Sequence, residues 1–153
     1  MIETVIAVLV ISLLFLSLFK LSYMLTGKVL LEHAAMRVAR ARAVGLNDYL
    51  CRKAARVATI PIAGRRLWPE GDELDDSMEL ARTAIYMATP DESVARGVLE
   101  YEGWGRLTVT PGDGGDSKVE QAFDLFDGTM KFSLEGEAGV ERNWQLYMNG
   151  GGR

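Results

Sequence analysis

The sequence contains few of the side chains from which most catalytic and metal sites are built. Among its 153 residues there is one histidine, His33, and one cysteine, Cys51. We therefore predict neither a histidine-based metal site nor a catalytic triad, and an intrachain disulfide is excluded. A phosphate-binding loop and a dinucleotide-binding fingerprint are also absent from the sequence. These absences predict a protein that is not an enzyme and has no cofactor and no bound metal.

Proline and charge are scarce at the N-terminus. From Ile2 to Val44 there is no proline, and Gly27 is the only glycine. No Lys or Arg precedes the apolar run over residues 5–19, and no small-residue cleavage site follows it, which argues against a cleavable signal peptide. The lack of helix breakers predicts one continuous, unkinked helix over residues 1–44, roughly 65 Å long at 1.5 Å per residue. Gly45 and Asn47 supply the signal that ends it.

This helix, which we call the stem, is predicted to have two halves of different character. The first half approaches the roughly 20 apolar residues that are needed to cross a bilayer. The second half is amphipathic, with Lys28, Glu32, Arg37 and Arg40 on one side and Val, Leu and Ala on the other. Alanines in this half allow close approach of a neighbouring helix. We interpret the pattern as a helix that occupies a membrane at one stage and a helical bundle at another.

Charge is divided unevenly along the chain. Residues 1–70 carry ten Lys/Arg against four Asp/Glu, and residues 71–153 carry seven against seventeen. The net charges of +6 and −10 predict attraction between the two parts, within one molecule or between neighbours. An acidic C-terminal part argues against nucleic acid as a partner, because phosphate binding needs positive charge at the contact.

The remaining chain, residues 45–153, is predicted to form a head domain in which short helices precede strands. We predict helices over 49–58, 72–87 and 92–101, an extended segment over 59–64, a loop over 65–71, and strands over 106–110, 118–126, 129–135 and 140–148. Asp127-Gly128 indicates a hairpin between two of the strands. The expected fold is therefore α+β, a long helical stem with an antiparallel sheet of the head packed against it.

Several side chains of the head have predicted environments. We expect Cys51 to be a small buried residue, and Arg52, Lys53 and Arg56 to form a basic face on the helix over 49–58. In the helix over 72–87, the expected inward-facing apolar line is Leu74, Met78, Ala81 and Ile85.

The stem contains a block that points to a known family. Leu31-Glu32-His33-Ala34-Ala35-Met36-Arg37-Val38-Ala39-Arg40 follows a long Leu/Val/Ile run that begins just after Glu3. Over about the first 42 residues the chain resembles the TadE-like pseudopilins of tight-adherence (Tad/Flp) pilus systems, within the wider type IV pilin group. The pilin glutamate usually stands at the fifth mature position, whereas Glu3 is the third residue here, and the proline often found in the apolar run is absent.

The resemblance implies a subunit that is made with a short basic leader. A prepilin peptidase removes the leader, and inner-membrane machinery assembles the subunits into a helical, extracellular filament through their stems. The carboxylate near the N-terminus then guides assembly; in physical terms, its natural partner in an apolar bundle is an α-amino group. The residues expected at this homo-oligomeric interface are Met1, Glu3, Val5, Leu9, Leu13, Leu16, Lys20, Tyr23, Ala35 and Ala39.

Three functions remain open from the sequence. We predict that the chain is the main structural subunit of the filament, and the first alternative is a minor pseudopilin that primes or tips a filament of another pilin. The third is a single-pass membrane anchor that carries an acidic interaction head. Lys20, Lys28, Arg37 and Arg40 follow the apolar run, so the positive-inside rule alone places such a head in the cytoplasm.

Overall fold

The computed structural model describes residues 2–70, 75–112, 116–125 and 130–139. In chain order its elements are α1 (Ile2–Ala43), α2 (Asp48–Ala58), β1 (Arg66–Trp68), α3 (Asp76–Ala88), α4 (Glu92–Arg96), β2 (Glu100–Tyr101), β3 (Leu107–Pro111), β4 (Asp116–Leu125) and β5 (Met130–Gly139), with 3₁₀ turns at Ile60–Ile62 and Glu102–Arg106. Strands β3, β4 and β5 form one antiparallel sheet, and β1 pairs with β2. The predicted α+β class, with a helical stem and a sheet in the head, is confirmed.

The stem is the helix α1, which runs for 42 residues without interruption. It ends where Gly45 adopts a φ of 87°, a left-handed conformation that glycine reaches without strain. The N–H of Gly45 donates to Arg42 O at 2.9 Å, and the N–H of Leu46 donates to Ala41 O at 3.0 Å. This pair of bonds satisfies carbonyls that a helix end otherwise leaves open.

Helix α2 turns back along the stem because its start is fixed by two local contacts. The Asn47 side chain accepts a hydrogen bond from the N–H of Leu50 at 2.9 Å, as expected of an N-cap. Arg42, in the last turn of α1, forms a 2.7 Å ion pair with Asp48, the first residue of α2. The predicted helix over 49–58 is therefore confirmed.

The main core lies where the second half of α1 packs against α2 and the three-stranded sheet. It consists of Leu31, Ala34, Ala35, Val38, Cys51, Ala55, Ile62 and Val119. The stem residues in this core have small or branched side chains, so the sheet comes very close to the helix. Ser117 of β4, itself buried, donates a hydrogen bond from its hydroxyl to Ala35 O of α1. The predicted packing of sheet against stem is thus observed within the chain.

Gly136 of β5 is a point of very close approach between the sheet and the stem. A Cβ atom at this position would lie less than 3.0 Å from backbone atoms of Leu31 and Glu32. Backbone atoms cannot move away as a flexible side chain can, so the crossing requires a residue without a side chain.

A second core cluster connects α3 and α4 to the turn after β2. Its members are Ala63, Tyr86, Ala95, Leu99, Tyr101 and Trp104. The Trp104 ring lies 5.3 Å from that of Tyr86 and 5.0 Å from that of Tyr101, centroid to centroid. Such ring pairs add to the stabilisation from burial alone. This cluster holds α3 against the rest of the head.

Three boundary predictions in the head are wrong. The segment 59–64, expected to be extended, contains a 3₁₀ turn, because Pro61 stands in its first turn where its missing N–H costs nothing. The loop expected over 65–71 contains β1, which pairs with the short β2. The helix expected over 92–101 ends at Arg96, since Gly97 caps it and the chain then enters β2.

Other predictions fall partly outside the described residues. The helix expected from residue 72 is described from Asp76, with Asp75 as its N-cap. The register of β4 and β5 runs to Leu125↔Met130, on either side of the predicted hairpin at 127–128, which is itself outside the described part. Met1, Leu74 and the strand predicted over 140–148 also lie outside it.

The crossing at Gly136 predicts a large effect of a very small substitution. In Gly136→Ala, the added methyl group meets the α1 backbone, and overpacking of this kind costs about 1–3 kcal/mol of unfolding free energy. The matched control is Gly105→Ala, whose Cβ would meet nothing within 4 Å. Urea unfolding in detergent, followed by tryptophan fluorescence, measures both variants. Equal stability of the two variants would contradict the close approach.

Candidate assembly surface

The first half of the stem projects from the head with no part of the described chain covering it. Every large apolar side chain from Ile2 to Tyr23 is at least half exposed. Seven of the predicted interface residues lie on this projecting half, which we call the free stem (residues 2–25): Glu3, Val5, Leu9, Leu13, Leu16, Lys20 and Tyr23. The apolar side chains Val5, Leu9, Leu13 and Leu16 of this set are therefore exposed to lipid or to another chain.

The free stem is compatible with an apolar environment, because serine hydroxyls on it form hydrogen bonds within the helix. The α1 helix is long and apolar enough to cross a membrane. Two of the hydroxyl groups on the free stem bond to their own helix: Ser12 donates to Val8 O at 2.8 Å and Ser17 to Leu13 O at 2.9 Å. A hydroxyl bonded to its own helix needs no water, so it adds little to the cost of entering lipid or a helical bundle.

The two predicted interface residues in the second half of the stem have a different place. Ala35 and Ala39 are fully buried in the chain. Ala35 belongs to the main core and lies beneath the sheet. Its carbonyl accepts the hydrogen bond from Ser117 of that sheet. Their small side chains serve the close approach of the sheet, and both are covered by the same molecule. Their assignment to an interface between stems is therefore corrected.

The opposite side of the same half remains open, and we call it the outer stem face: Val29, His33, Met36, Arg37 and Arg40. All five side chains are exposed. They form one stripe, because residues three, four or seven apart lie on the same side of a helix. The Arg40 guanidinium contacts Met36 Sδ at 3.6 Å, so base and apolar group are adjacent here.

Helix α3 faces in the direction opposite to the predicted one. Met78, Ala81 and Ile85, expected to point inward, are exposed, with Met78 and Ile85 about half accessible. The buried residue is Tyr86, and Glu79 and Thr83, on its side of the helix, are half-buried. The helix is turned this way because the Tyr101 hydroxyl donates a hydrogen bond to the Glu79 carboxylate and the ring of Tyr86 packs on Trp104.

Lys53 was expected on a solvated basic face, and that prediction is wrong. Its side chain is fully buried, and its ammonium group donates hydrogen bonds to Thr89 O and, at 3.5 Å, to Met87 O. These carbonyls lie at the C-terminal end of α3, where positive charge is favoured. Burial lowers the pKa of Lys53 below its ordinary value. Sequence periodicity gave no signal of this role, since Lys53 stands between two arginines that remain partly accessible.

Cys51 is buried in the main core, as predicted. Its thiol approaches Leu46 O at 3.8 Å, and burial raises the pKa of this thiol. A buried thiol with a raised pKa carries little thiolate and is a poor nucleophile. Within the described part of the chain, no group of three or more His, Cys, Asp or Glu side chains is arranged to hold a metal ion.

Comparison with protein-family models, with curated proteins and with solved structures finds no match to this chain. The resemblance to TadE-like pseudopilins therefore stays a prediction from the stem sequence. The surfaces that the geometry leaves open are the free stem, the outer stem face and the exposed side of α3.

The Tyr101–Glu79 contact predicts a specific loss of stability at alkaline pH. Burial, followed by the hydrogen bond to Glu79, raises the pKa of Tyr101 above its ordinary value. A raised pKa means that the folded state holds this proton more tightly than the unfolded state. The stabilisation is thus complete below the ordinary tyrosine pKa of about 10 and declines as the pH rises above it.

The variant Tyr101→Phe isolates this contribution. Near neutral pH it should unfold with a free energy about 1–2 kcal/mol below that of the wild type, because one buried hydrogen bond to a charged group is lost. Above a pH of about 10 the difference in unfolding free energy between the two proteins should narrow, because only the wild type has this phenol to ionise on unfolding. Urea unfolding between pH 7 and pH 11 measures this difference, and a difference that stays constant would contradict the assignment.

Proposed function

We propose that this chain is a structural subunit that polymerises through its stem into a filament of the type IV pilus kind. The single observation that supports the proposal is the division of α1. Its second half is packed into the head, while the large apolar side chains of residues 2–23 are at least half exposed within the described chain. In the proposal, the free stem occupies the bacterial inner membrane before assembly and a bundle of identical stems afterwards.

The exposed surface of the free stem gives this assembly its driving force. Full burial of one Val, Leu, Ile or Phe side chain is worth about 1.5–3 kcal/mol relative to exposure in water. A free stem that leaves lipid without meeting other stems loses this stabilisation at many positions, such as Leu9, Leu13 and Leu16. Transfer directly from lipid into a bundle avoids the loss. Assembly coupled to extraction is therefore favoured over release of single subunits.

Glu3 is the one acidic residue on the free stem. A carboxylate within an apolar bundle is costly unless a positive charge pairs with it. We propose that this partner is the α-amino group of a neighbouring subunit, so that the pair sets the axial offset between stems. Extraction and leader removal would then involve inner-membrane assembly machinery and a prepilin peptidase, and the assembled heads would coat an extracellular filament at the cell surface.

A simple membrane anchor is the second candidate, and the charge pattern favours it. Lys20 and Lys28 follow the apolar run and would hold this end of the helix on the cytoplasmic side. An anchor places the head in the cytoplasm, whereas a pilus subunit needs the head outside. Protease treatment of spheroplasts separates the two: digestion of the head supports the filament subunit, and protection of the head supports the anchor.

The proposed role of Glu3 has a direct test in cells that carry the matching pilus machinery. Glu3→Ala should reduce the yield of sheared filaments at least about tenfold, because a buried α-amino group is left unpaired. Glu3→Asp, which keeps the charge, is the matched control and should retain part of the yield. Both variants should keep a folded head, because Glu3 is exposed and far along the chain from both core clusters.

Normal filament yield from Glu3→Ala would contradict the pairing role. The composition of the filament then distinguishes the main subunit from a minor one. Mass spectrometry of purified filaments should find this chain as the dominant protein. A filament made mainly of another pilin would instead support the minor pseudopilin, which primes or tips the polymer.

A further inference from the structure

The exposed side of α3 is an apolar surface that the rest of the described chain does not cover. Its stripe runs over Met78, Ala81, Ala84, Ile85 and Ala88, which share one side of the helix. We call this the α3 stripe. Leu80 and Met87 flank it and are 73% and 42% exposed. A helix that turns its polar residues toward the head and its apolar residues toward solvent is typical of a binding surface.

The surroundings of the α3 stripe are acidic. Residues 75–92 carry five acids and a single base, Arg82. The exposed acids lie at both ends of the helix, Asp75 before it and Asp91 after it. The N–H and hydroxyl of Ser93 donate to Asp91 and lower the pKa of its carboxyl, which keeps it ionised. This charge opposes docking on an anionic lipid surface, which attracts basic segments.

The chain itself carries a surface of opposite charge and similar dimensions. The outer stem face joins Val29 and Met36 to the cations Arg37 and Arg40. Helix α3 has 13 residues, which is roughly 20 Å, and the outer stem face spans a comparable roughly 18 Å at 1.5 Å per residue. Both surfaces are therefore helical, carry exposed apolar side chains and are complementary in charge.

These two surfaces belong to one chain, but within it α3 packs beside α2 and the outer stem face points away from the main core. We propose that the α3 stripe of one copy docks on the outer stem face of a second copy. Such a contact joins two different surfaces, so a pair of subunits still has one free α3 stripe and one free outer stem face. A heterologous contact of this type continues into a ring or an open helical array. The contact does not use the free stem, so it holds whether or not the stems form a bundle.

The test uses the full chain in detergent, where the micelle covers the free stem. Wild-type protein should associate as its concentration rises, and salt should weaken the association because it screens the charges. Ile85→Asp on the α3 stripe and Met36→Asp on the outer stem face should each weaken self-association roughly tenfold or more, since both place an acid in an apolar contact. The matched control is Leu67→Asp on β1, whose wild-type side chain is 47% exposed, close to the 54% of Ile85. It should associate as the wild type does.

Mixing the two variants identifies the type of contact. Ile85→Asp keeps an intact outer stem face and Met36→Asp keeps an intact α3 stripe, so an equimolar mixture should form one-to-one pairs that cannot extend. Sedimentation velocity measures these species. The proposal is overturned if the wild type stays monomeric, if Ile85→Asp associates normally, or if Met36→Asp associates normally, the last result meaning that α3 stripes pair with one another.

A covalent test does not depend on the acidic variants folding. Cys51 is buried, so Ile85→Cys and Met36→Cys each add the accessible thiol. Mild oxidation of a mixture should yield mainly the mixed disulfide, and a predominance of Ile85→Cys homodimers overturns the proposal. Glu3→Ala should associate in detergent as the wild type does, because Glu3 is not part of the α3 stripe or the outer stem face. If Glu3→Ala forms no filaments in cells but still associates in detergent, the defect lies in the packing of the stems alone.

Discussion

The structure depends on the crossing of β5 over the stem at Gly136. Because a glycine stands there, the strand lies directly on the backbone of Leu31 and Glu32, and the sheet covers one side of the second half of α1. The stem contributes small residues to the same contact, and Ser117 adds a hydrogen bond to the helix carbonyl of Ala35. A larger side chain on either partner would separate sheet from stem and open the core between them. The position of the head along the stem is thus set by backbone-to-backbone contact.

This contact divides one regular helix into two environments. The large apolar side chains of residues 2–23 lie outside the core and are at least half exposed, whereas residues from Gly27 onward are part of the core on one side. A rigid connection between the two halves has a mechanical consequence, since displacement of the free stem must carry the head with it. An uninterrupted helix without proline has no hinge at which the two could move separately. A stem of this kind suits a subunit whose head position is specified by how its stem packs.

Local sequence signals predicted the stem and α2 well, and they failed where distant partners decide orientation. The end of α1 and the start of α2 follow from Gly45 and Asn47, whose effects act within a few residues. The orientation of α3 does not follow from such local signals, because its apolar periodicity is equally typical of a helix with that side buried. The contacts of Tyr86 with Trp104 and of Glu79 with Tyr101 turn its apolar side outward. Ala35, Ala39 and Lys53 were misplaced for the same reason. Small residues fit any close contact, and a buried lysine needs carbonyls that only the folded chain brings to it.

The outward-facing side of α3 also bears on the uneven distribution of charge along the chain. Within the described residues, Arg42 pairs with the nearby Asp48, Arg56 pairs with Glu92 of the acidic part, and no ion pair involves Arg37 or Arg40 of the outer stem face. Attraction between the basic and acidic parts of the chain is therefore only partly used inside one molecule. The acids beside the α3 stripe and the bases of the outer stem face lie on surfaces that one molecule cannot bring together. In the contact between copies that we propose, these opposite charges would favour one register of association and oppose the pairing of like surfaces.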